Sequence, residues 1–390
     1  MSDTQKHTKP NVPNLRFPGF EGEWEQFKLG ELVEIRSGVS PTGIVDEKGA
    51  FPFYKVEQLN YCQIELGETP YKVKHASIPR NSIVFPKRGA AIMTNKIRIA
   101  SRPCQLDTNL MALSIKNAAD VDYRFVFYYI ERCNLSKIAD TSTIPQINNI
   151  HINPLRIVLP TINEQSKISR FISVLDERIS SQIKVIEGYK SLITTIIQRA
   201  HHHATREVLL RDILTERKEL NSKGYDVHSV SVSKGVINQV EYLGRSFAAK
   251  DTAHYHVVHK GDIVYTKSPT GDFPYGIIKQ SYIESPVAVS PLYGVYEPCS
   301  FEIGVFLNHY FCNPKNVFNY LHKLIQKGAK NTINITNQHF LDNTIRVPEE
   351  SALKRLVSCI NSLTQKVSIE EGLLNQYEQL KSYILKNMII

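Results

Sequence analysis

Short segments that combine cationic and amide side chains recur in this chain and are suited to contacts with a polyanion. PKRGAAIMTNKIR (86–98) brings lysine, arginine and asparagine close together, and YTKSPTGD (265–272) and QKGAKNTIN (326–334) are comparable segments of the second half. Arginine can pair bidentately with guanine and asparagine with adenine, whereas lysine mainly meets phosphate. The candidate nucleic-acid contacts in these segments are Lys87, Arg88, Asn95, Lys96 and Arg98, followed by Lys267, Ser268, Thr270, Lys327, Lys330, Asn331 and Asn334.

The basic residues are concentrated in two windows that contain no acid. The net charge is +9, and the windows are residues 69–106 and 303–341. Bases without neighbouring acids produce a field that reaches outward, because nothing neutralises them locally. A solvated surface would explain one such window, but two in corresponding halves favour a polyanion partner. All eight bases of the first window are candidate nucleic-acid contacts, and they are Lys72, Lys74, Arg80, Lys87, Arg88, Lys96, Arg98 and Arg102.

Motifs for catalysis are absent or incomplete. An amino-methyltransferase needs a Gly-rich cofactor turn and an Asp/Asn-Pro-Pro-Tyr/Phe loop, and DFPY (272–275) lacks the Pro-Pro pair. No P-loop motif occurs, and the six cysteines form no CxxC pair. HYHVVH (254–259) has no acid or cysteine at metal-site spacing, and HHH (201–203) is interpreted as an exposed junction. The sequence therefore predicts no catalytic residue, metal site or cofactor in this chain.

The elements that would position the basic loops are short strands of a mixed α/β architecture. IPRNSIVFPKRGA (78–90) parallels VHKGDIVYTKSPT (258–270), each a turn, a branched-aromatic strand and a basic loop. FKLGELVEIR (27–36) similarly parallels VLLRDILTER (208–217). DYRFVFYYIERCNLSKI and IGVFLNHYFCNPKNVFNYLHKLIQ are predicted to form helices that pack on these sheets. The predicted fold class is α+β, with two mixed α/β domains.

Two long segments carry apolar residues in heptad rhythm, 188 positions apart. Thr161 and Glu164 have capping-box spacing at the start of the first helix. Four heptads with a narrow apolar stripe are typical of a coiled coil. Gln182, Glu370 and Lys381 interrupt the stripe. The predicted seam consists of Ile168, Ile172, Leu175, Ile179, Ile186 and Tyr189, and of Leu356, Ile360, Leu363, Val367, Leu374 and Tyr377.

A repeated joint precedes each helix. STIPQINNIHINPLRIVLP (142–160) and NTINITNQHFLDNTIRVP (331–348) are alike, which indicates internal duplication. If the seams pack together, the helices run antiparallel with an approximate two-fold axis. Each helix of about 36 residues would span about 54 Å, comparable with neighbouring duplex turns about 34–36 Å apart. The predicted parts are a first domain (1–163), a first spacer helix (164–203), a second domain (204–349) and a second spacer helix (350–390).

Two segments, together with the twofold arrangement, resemble the specificity subunits of type I restriction–modification systems. They are PNLRFPGFEGEWEQFKLGEL (13–32) and RIVLPTINEQSKI (156–168). The resemblance covers essentially the whole chain. The start of the second helix, RVPEESALKRL (346–356), departs from the pattern because it lacks the Glu-Gln pair. That departure concerns how the start of the second helix packs on its domain.

The resemblance implies a non-catalytic protein with two target recognition domains, each reading half of a bipartite site in double-stranded DNA. The helix pair would set the gap between halves and hold two methyltransferase subunits carrying S-adenosylmethionine. Two restriction/translocase subunits using ATP and Mg²⁺ would complete the complex. The polar N-terminus and the lack of a long apolar run predict a cytoplasmic protein without a membrane span. The alternatives are a self-sufficient DNA-modifying enzyme and a structural protein that dimerises through its helices.

Overall fold

The chain divides into two compact units. The first comprises Met1–Val185 and Glu370–Ile390, and the second comprises Ile186–Ile369. Both divisions fall inside long helices, so each unit contains a globular part and segments of both helices. The computed structural model describes residues 11–60, 63–140, 143–243, 251–327 and 333–390.

The globular part of the first unit is built from short strands with three helices among them. A long helix, α4 (Ile162–His203), follows its last strand. Its strands are β1 (Glu25–Lys28), β2 (Val33–Ser37), β3 (Phe51–Tyr54), β4 (Lys72–Val73), β5 (Ile83–Pro86), β6 (Arg98–Ile99), β7 (Gln105–Leu106), β8 (Leu110–Ile115) and β9 (Arg156–Leu159). Its helices are α1 (Leu29–Leu32), α2 (Tyr123–Cys133) and α3 (Asn149–Ile152).

The second unit repeats this composition, and the last long helix, α8 (Glu350–Met388), follows it. Its strands are β10 (Arg206–Leu209), β11 (Leu214–Glu216), β12 (Val227–Ser231), β13 (Gly235–Asn238), β14 (His256–Val258), β15 (Ile263–Thr266), β16 (Ile277–Gln280), β17 (Val287–Val289), β18 (Gly294–Pro298), β19 (Gln326–Lys327), β20 (Ile333–Asn334) and β21 (Thr344–Val347). Its helices are α5 (Gln239–Leu243), α6 (Phe301–Tyr310) and α7 (Pro314–His322).

The sheets of the two units have the same topology. One four-stranded sheet has the order β2-β8-β5-β6 in the first unit and β11-β18-β15-β16 in the second. A second sheet contains a parallel pair, β3 with β7 and β12 with β17. An isolated bridge between Ile78 and Cys104 takes the place of β14 in the first unit. The predicted α+β fold with an internal repeat is confirmed.

The repeated joints become equivalent strands. β9, which ends the first joint, pairs antiparallel with β1, and β21 pairs antiparallel with β10. In each unit the strand that closes the globular part therefore pairs with the strand that opens it. A long helix follows immediately, which explains why the same short sequence pattern occurs before both helices.

A cluster of buried apolar side chains fixes α2 against the sheet of the first unit. Asp122 caps α2, since its carboxylate accepts hydrogen bonds from two backbone N–H groups of the first turn. Trp24, the single tryptophan of the chain, is 2% exposed and contacts Phe125 edge to face at 5.8 Å between ring centroids. The same cluster includes Ile168 from α4 and Ile384 from α8, so both long helices contribute to the core of this unit.

In the second unit the predicted helical segment 303–326 is divided into two helices. Ser300 caps α6 through a hydrogen bond from the Ile303 N–H. α6 ends before Asn313, which caps α7, and Pro314 occupies the first turn, where its missing N–H costs nothing. The buried face of α6 carries Val305 and Phe306, each 0% exposed. The apolar run therefore forms a core helix on the sheet.

The stability of the second unit is expected to fall in mild acid because of His309. Burial, assisted by the charge of Lys279, lowers the pKa of His309 to about 4. The unfolded chain binds the proton more readily than the folded chain. The free energy of unfolding therefore keeps its full value above the ordinary pKa near 6.5 and falls by roughly 3 kcal/mol as the pH approaches 4. Urea denaturation at pH 7 and pH 4.5, followed by circular dichroism, should show a smaller acid loss in His309→Gln than in the wild type. Equal losses in both proteins would contradict the assignment.

Candidate nucleic-acid interface

Three loops meet at one edge of the four-stranded sheet in the first unit. β2 and β5 end at this edge and β8 begins there, because both strands run antiparallel to β8. Ser37 is paired with Met111, and Pro86 is paired with Leu110. The basic loop after β5 therefore emerges beside the turn that precedes β8. We define this edge, with the loops after β2 and β5 and the turn before β8, as the loop edge of the first unit.

The backbone of the loop after β5 is held on both sides. The Lys87 N–H donates to the Asn109 carbonyl at 2.8 Å, and the Lys87 carbonyl accepts from the Ile147 N–H at 2.8 Å. The Gly89 N–H donates to the Pro145 carbonyl, also at 2.8 Å. These bonds restrict the directions in which the Lys87 side chain can extend, as a binding site requires.

The loop after β2 packs tightly on the turn before β8. A Cβ added at Gly38 would lie 1.9 Å from the Asp107 carbonyl oxygen, so the approach requires glycine. The Asp107 carboxylate accepts a hydrogen bond from the Asn109 N–H at 2.9 Å and forms an Asx turn. Thr108 and Asn109 are exposed at its tip. Polar groups therefore lie beside the basic loop.

The second unit has an equivalent loop edge, formed where β15 ends and β18 begins. Tyr265 is paired with Gly294 across this edge. Lys267 follows β15 as Lys87 follows β5. Reciprocal backbone hydrogen bonds between Thr270 and Phe273, at 3.1 and 2.9 Å, close the loop that Lys267 begins. The sheet topology thus brings a basic loop to the same position in both units.

The cations at both edges lack internal partners. Within the described parts of the chain, the Lys87 and Lys267 amines and the Arg88 guanidinium make no hydrogen bond or ion pair. Burial lowers the pKa of Lys87. Burial also lowers the pKa of Lys267, although the Glu216 carboxylate opposes the effect. Cations that are partly desolvated but unpaired are candidates for binding an anion. This arrangement can hold phosphate groups at each loop edge.

Several other predicted contact residues of the first window are bound within the protein. Since these groups are occupied by internal acceptors, they are less available to a ligand than Lys87 or Arg88. The contacts are Lys74 with Asp46 at 3.2 Å, Lys96 with the Asn60 amide oxygen at 2.5 Å, Arg98 with the Ile97 carbonyl at 2.7 Å and Arg102 with Glu68 at 2.9 Å.

Asn95 has a structural role that the sequence did not indicate. Its backbone is left-handed, with φ of 48°. Its amide N–H donates to the Glu131 carbonyl at 2.9 Å, and its amide oxygen accepts from the Leu135 N–H at 2.9 Å. Both ends of the amide therefore tie the basic loop region to the end of α2, which fixes the side chain in place.

The remaining predicted contacts are dispersed. Arg80 is exposed but precedes β5, at the opposite end of that strand from Lys87, and Lys72 is exposed on β4 in the other sheet. Ser268 and Thr270 lie in the loop after β15 at the loop edge. Lys327 and Asn334 belong to β19 and β20, and their side chains are not described. Lys330 and Asn331 lie outside the described residues.

The two long helices pack antiparallel within each unit. In the first unit the Arg178 guanidinium donates to the Tyr377 hydroxyl at 3.1 Å. In the second unit the Lys366 amine lies 5.8 Å from the centre of the Tyr189 ring. Arg178 and Lys366 are 188 positions apart, as are the two tyrosines. The packing thus repeats the same cation–tyrosine contact with the roles of the helices exchanged.

All twelve predicted seam residues are at least partly buried. Leu353, Val357 and Leu385 of α8 are also buried, although the heptad pattern did not single them out. The fully buried seam residues are Ile168, Ile172, Ile186, Ile360 and Val367. The partly buried ones are Leu175, Ile179, Tyr189, Leu356, Leu363, Leu374 and Tyr377.

A buried ion cluster that sequence reasoning missed fastens α8 in the first unit. The Lys381 amine lies 2.7 Å from the Asp176 carboxylate and 2.8 Å from the Glu131 carboxylate. The Tyr128 hydroxyl donates to Asp176 at 2.8 Å. In the sequence, the position of Lys381 on the heptad seam indicates that this lysine needs a partner. Sequence spacing does not show that the partners are Glu131 on α2 and Asp176 on α4.

The histidine-rich segments lie in the second unit, with one of them at the end of α4. His201 stacks on Tyr310 with 4.5 Å between ring centroids, and a ring nitrogen of His256 lies 3.0 Å from the Tyr293 carbonyl. Over the described residues, no group of three or more histidine, cysteine, aspartate or glutamate side chains could hold a metal ion. Among the described helices, none combines the length and apolarity needed to cross a bilayer.

Comparison with known proteins shows what the first part of the chain is similar to. Residues 21–187 match the family described as Type I restriction modification DNA specificity domain. This segment is similar to type I specificity domains. The chain is also 22% identical over 173 residues to the type I restriction enzyme MjaIX specificity subunit of Methanocaldococcus jannaschii. The aligned segment covers 42% of this chain and 40% of that protein. The alignment thus spans about two fifths of the length of the curated relative.

Solved structures extend the likeness in fold beyond the specificity domain. The S subunit of a type I restriction–modification system from M. genitalium superposes with a TM-score of 0.58 at 15% identity, covering 97% of this chain and 99% of that chain. A chain from work on complex assembly and conformational transition of the type I R-M system gives a TM-score of 0.50 at 13% identity, with 93% and 96% covered. The resemblance to type I specificity subunits is confirmed, and the fold of the specificity domain occurs in both units.

Proposed function

We propose that this chain is the non-catalytic DNA specificity subunit of a type I restriction–modification complex, and that each unit contacts one half of a bipartite duplex site. The observation that carries the proposal is the duplicated loop edge, where unpaired cations follow equivalent strands, β5 and β15. The match of residues 21–187 to a DNA specificity domain supports the same function for the first unit.

Differences between the two loop edges support the reading of two different half-sites. Arg88 follows Lys87 in the first unit, whereas Ser268 follows Lys267 in the second. An arginine can pair with the O6 and N7 acceptors of guanine, while a serine hydroxyl can donate or accept at several bases. A duplicated scaffold with diverged loop side chains is suited to two unlike sequences.

Exposed apolar residues on the helices support docking of two methyltransferase subunits. Phe171 and Val174 of α4 are 41% and 58% exposed, while Leu192 of α4 and Leu380 of α8 are 44% and 45% exposed. Leu192 and Leu380 are 188 positions apart, so the two helices offer equivalent apolar sites. Such residues on a helix face are suited to a partner helix. In this proposal the methyltransferase subunits carry S-adenosylmethionine, and two restriction/translocase subunits use ATP and Mg²⁺, in the cytoplasm.

The direct test is to express this chain with its cognate methyltransferase and map methylated adenines across a genome. We expect methylation at a split motif with a fixed gap, and no methylation when either protein is omitted. A continuous motif would contradict the bipartite reading. Methylation by this chain alone would identify it as an enzyme, and methylation independent of this chain would exclude a specificity role.

Exchange of the second globular part tests the assignment of half-sites. Replacing residues 204–349 by the corresponding segment of another specificity subunit should change one half of the methylated motif and leave the other half unchanged. The second half-site is expected to change because the loop edge of the second unit lies within the exchanged segment. The reciprocal replacement of residues 1–163 is the matched control and should change only the other half. A motif altered in both halves by either exchange would contradict separate readers.

A further inference from the structure

Lys87 and Lys267 are the same structural position, present once in each unit. Each residue directly follows the strand that occupies the third place in a four-stranded sheet, β5 in one sheet and β15 in the other. Both neighbouring strands are also equivalent, since β5 pairs antiparallel with β8 and β6, and β15 pairs antiparallel with β18 and β16. The duplication has therefore kept a lysine at this position.

The two lysines have different neighbours, and the Glu216 carboxylate acts on Lys267 alone, but neither amine is ion-paired. The first is followed by Arg88 and the second by Ser268. In the described residues, neither amine has a carboxylate or other acceptor within hydrogen-bond reach. Nearby bases such as Lys74 and Arg102 have acidic partners at 3.2 and 2.9 Å. A charged amine kept unpaired in both units points to an anion supplied from outside the chain.

We propose that Lys87 and Lys267 are duplicated phosphate anchors, each of which binds a backbone phosphate of the half-site contacted by its own unit. The inference rests on the proposed DNA-specificity function and adds a division of roles at each loop edge. A residue common to both units must contact what two unlike half-sites share, and the shared feature is the phosphate backbone. Lysine suits this role because its ammonium is a compact charge without the planar fork that reads guanine.

Salt dependence of binding by the full chain measures the number of phosphate contacts. The probe is a duplex of arbitrary sequence, long enough to span both units, titrated at several NaCl concentrations. Each of Lys87→Gln and Lys267→Gln is expected to reduce the slope of log affinity against log salt by about 0.9, and to weaken binding about fivefold near 0.15 M salt. The reduction in slope should be about twice as large in the double variant as in either single variant, because the two positions lie in separate units and their effects add.

Charge-removal controls come from cations that lie away from the loop edges. Arg170 is exposed on α4, and Lys260 precedes β15 and pairs with Glu284 at 2.6 Å, so Arg170→Gln and Lys260→Gln each remove a positive charge at a distance from the loop edge. Both controls should keep the wild-type slope. Lys87→Arg and Lys267→Arg should also keep it, because they preserve the charge. Thermal melting of every variant identifies any that fails to fold.

The outcomes separate this inference from the proposed function. If the wild-type chain binds duplex DNA but the two glutamine variants keep its slope, the anchor assignment is wrong and the proposed function stands. Slope losses of equal size in the Arg170 and Lys260 controls would also overturn it, since they would show a general charge effect. A changed base preference in the methylation map without a change in slope would make the lysines base readers instead. Failure of the wild type to bind any duplex would refute both.

Discussion

Lys381→Ala is expected to destabilise the first unit by about 3–5 kcal/mol, because it removes the counter-ion of two carboxylates at a mostly buried site. Side-chain exposure is 13% for Lys381 and 9% for Asp176. Burial alone would lower the pKa of Lys381, but the carboxylates of Glu131 and Asp176 outweigh burial and raise the pKa. The lysine is therefore charged at neutral pH, and its loss leaves uncompensated negative charge beneath α8.

Trp24 makes this effect measurable in the first unit by itself. It is the single tryptophan of the chain and is buried in the core of that unit, so urea denaturation can be followed by its fluorescence. Lys386→Ala, five residues further along α8 at an exposed position, is the matched control and should change the free energy of unfolding by less than about 0.5 kcal/mol. Adding Glu131→Gln and Asp176→Asn to Lys381→Met should recover part of the loss. Equal effects of Lys381→Ala and Lys386→Ala would contradict a buried cluster.

Arg16→Ala should cost about 3 kcal/mol in the first unit, since it leaves the buried Glu164 carboxylate without its cation. The Arg16 guanidinium donates to both carboxylate oxygens of Glu164 at 2.8 Å, and Glu164 is 1% exposed. The same guanidinium donates to the Gly22 and Glu21 carbonyls at 2.6 and 3.0 Å. One side chain thus closes the N-terminal loop on itself and fastens it to the first turn of α4.

Two substitutions sharpen the measurement at Arg16. Arg16→Lys keeps the charge but loses the planar fork, so it should recover only part of the stability measured by Trp24 fluorescence. Arg170→Ala removes an exposed arginine from the same helix as Glu164 and should leave the free energy of unfolding nearly unchanged. Full stability in Arg16→Lys would show that charge alone matters, and full stability in Arg16→Ala would refute the contact.

The Arg16 contact accounts for the difference between the starts of the two long helices. At the start of α4, Glu164 binds Arg16, and Gln165 accepts from the Asp122 N–H at 2.9 Å while donating to the Pro160 carbonyl at 2.8 Å. The corresponding positions at the start of α8, 188 further along, are Ala352 and Leu353. The second unit passes from α4 (Ile162–His203) to β10 (Arg206–Leu209) within two residues, so it has no counterpart of the loop that carries Arg16. Leu353 is instead buried, at 3% exposure.

The polar interruptions of the heptads show a similar division between sequence and tertiary information. Gln182 and Glu370 interrupt the seam at positions 188 residues apart, which was evident from the pattern. The structure shows that they are each other's partners, because the Gln182 amide donates to the Glu370 carboxylate and, at 3.3 Å, to its carbonyl. A periodic pattern locates such residues on a helix face, whereas their pairing depends on the axial register of the two helices.

The sequence by itself determined the internal repeat, the two long helices and the alternating strands, because periodicity and turn residues express local preferences of the backbone. Which cations remain available for a ligand was decided only by the tertiary structure. Lys74 and Arg102 lie in a stretch without acids, yet Asp46 and Glu68 fold back from earlier in the chain to pair with them. Charges interact through space at a few ångströms, so a window of sequence cannot show which bases are neutralised. At the loop edges Lys87 and Lys267 form no ion pair among the described residues, although the Glu216 carboxylate acts on Lys267 from a greater distance.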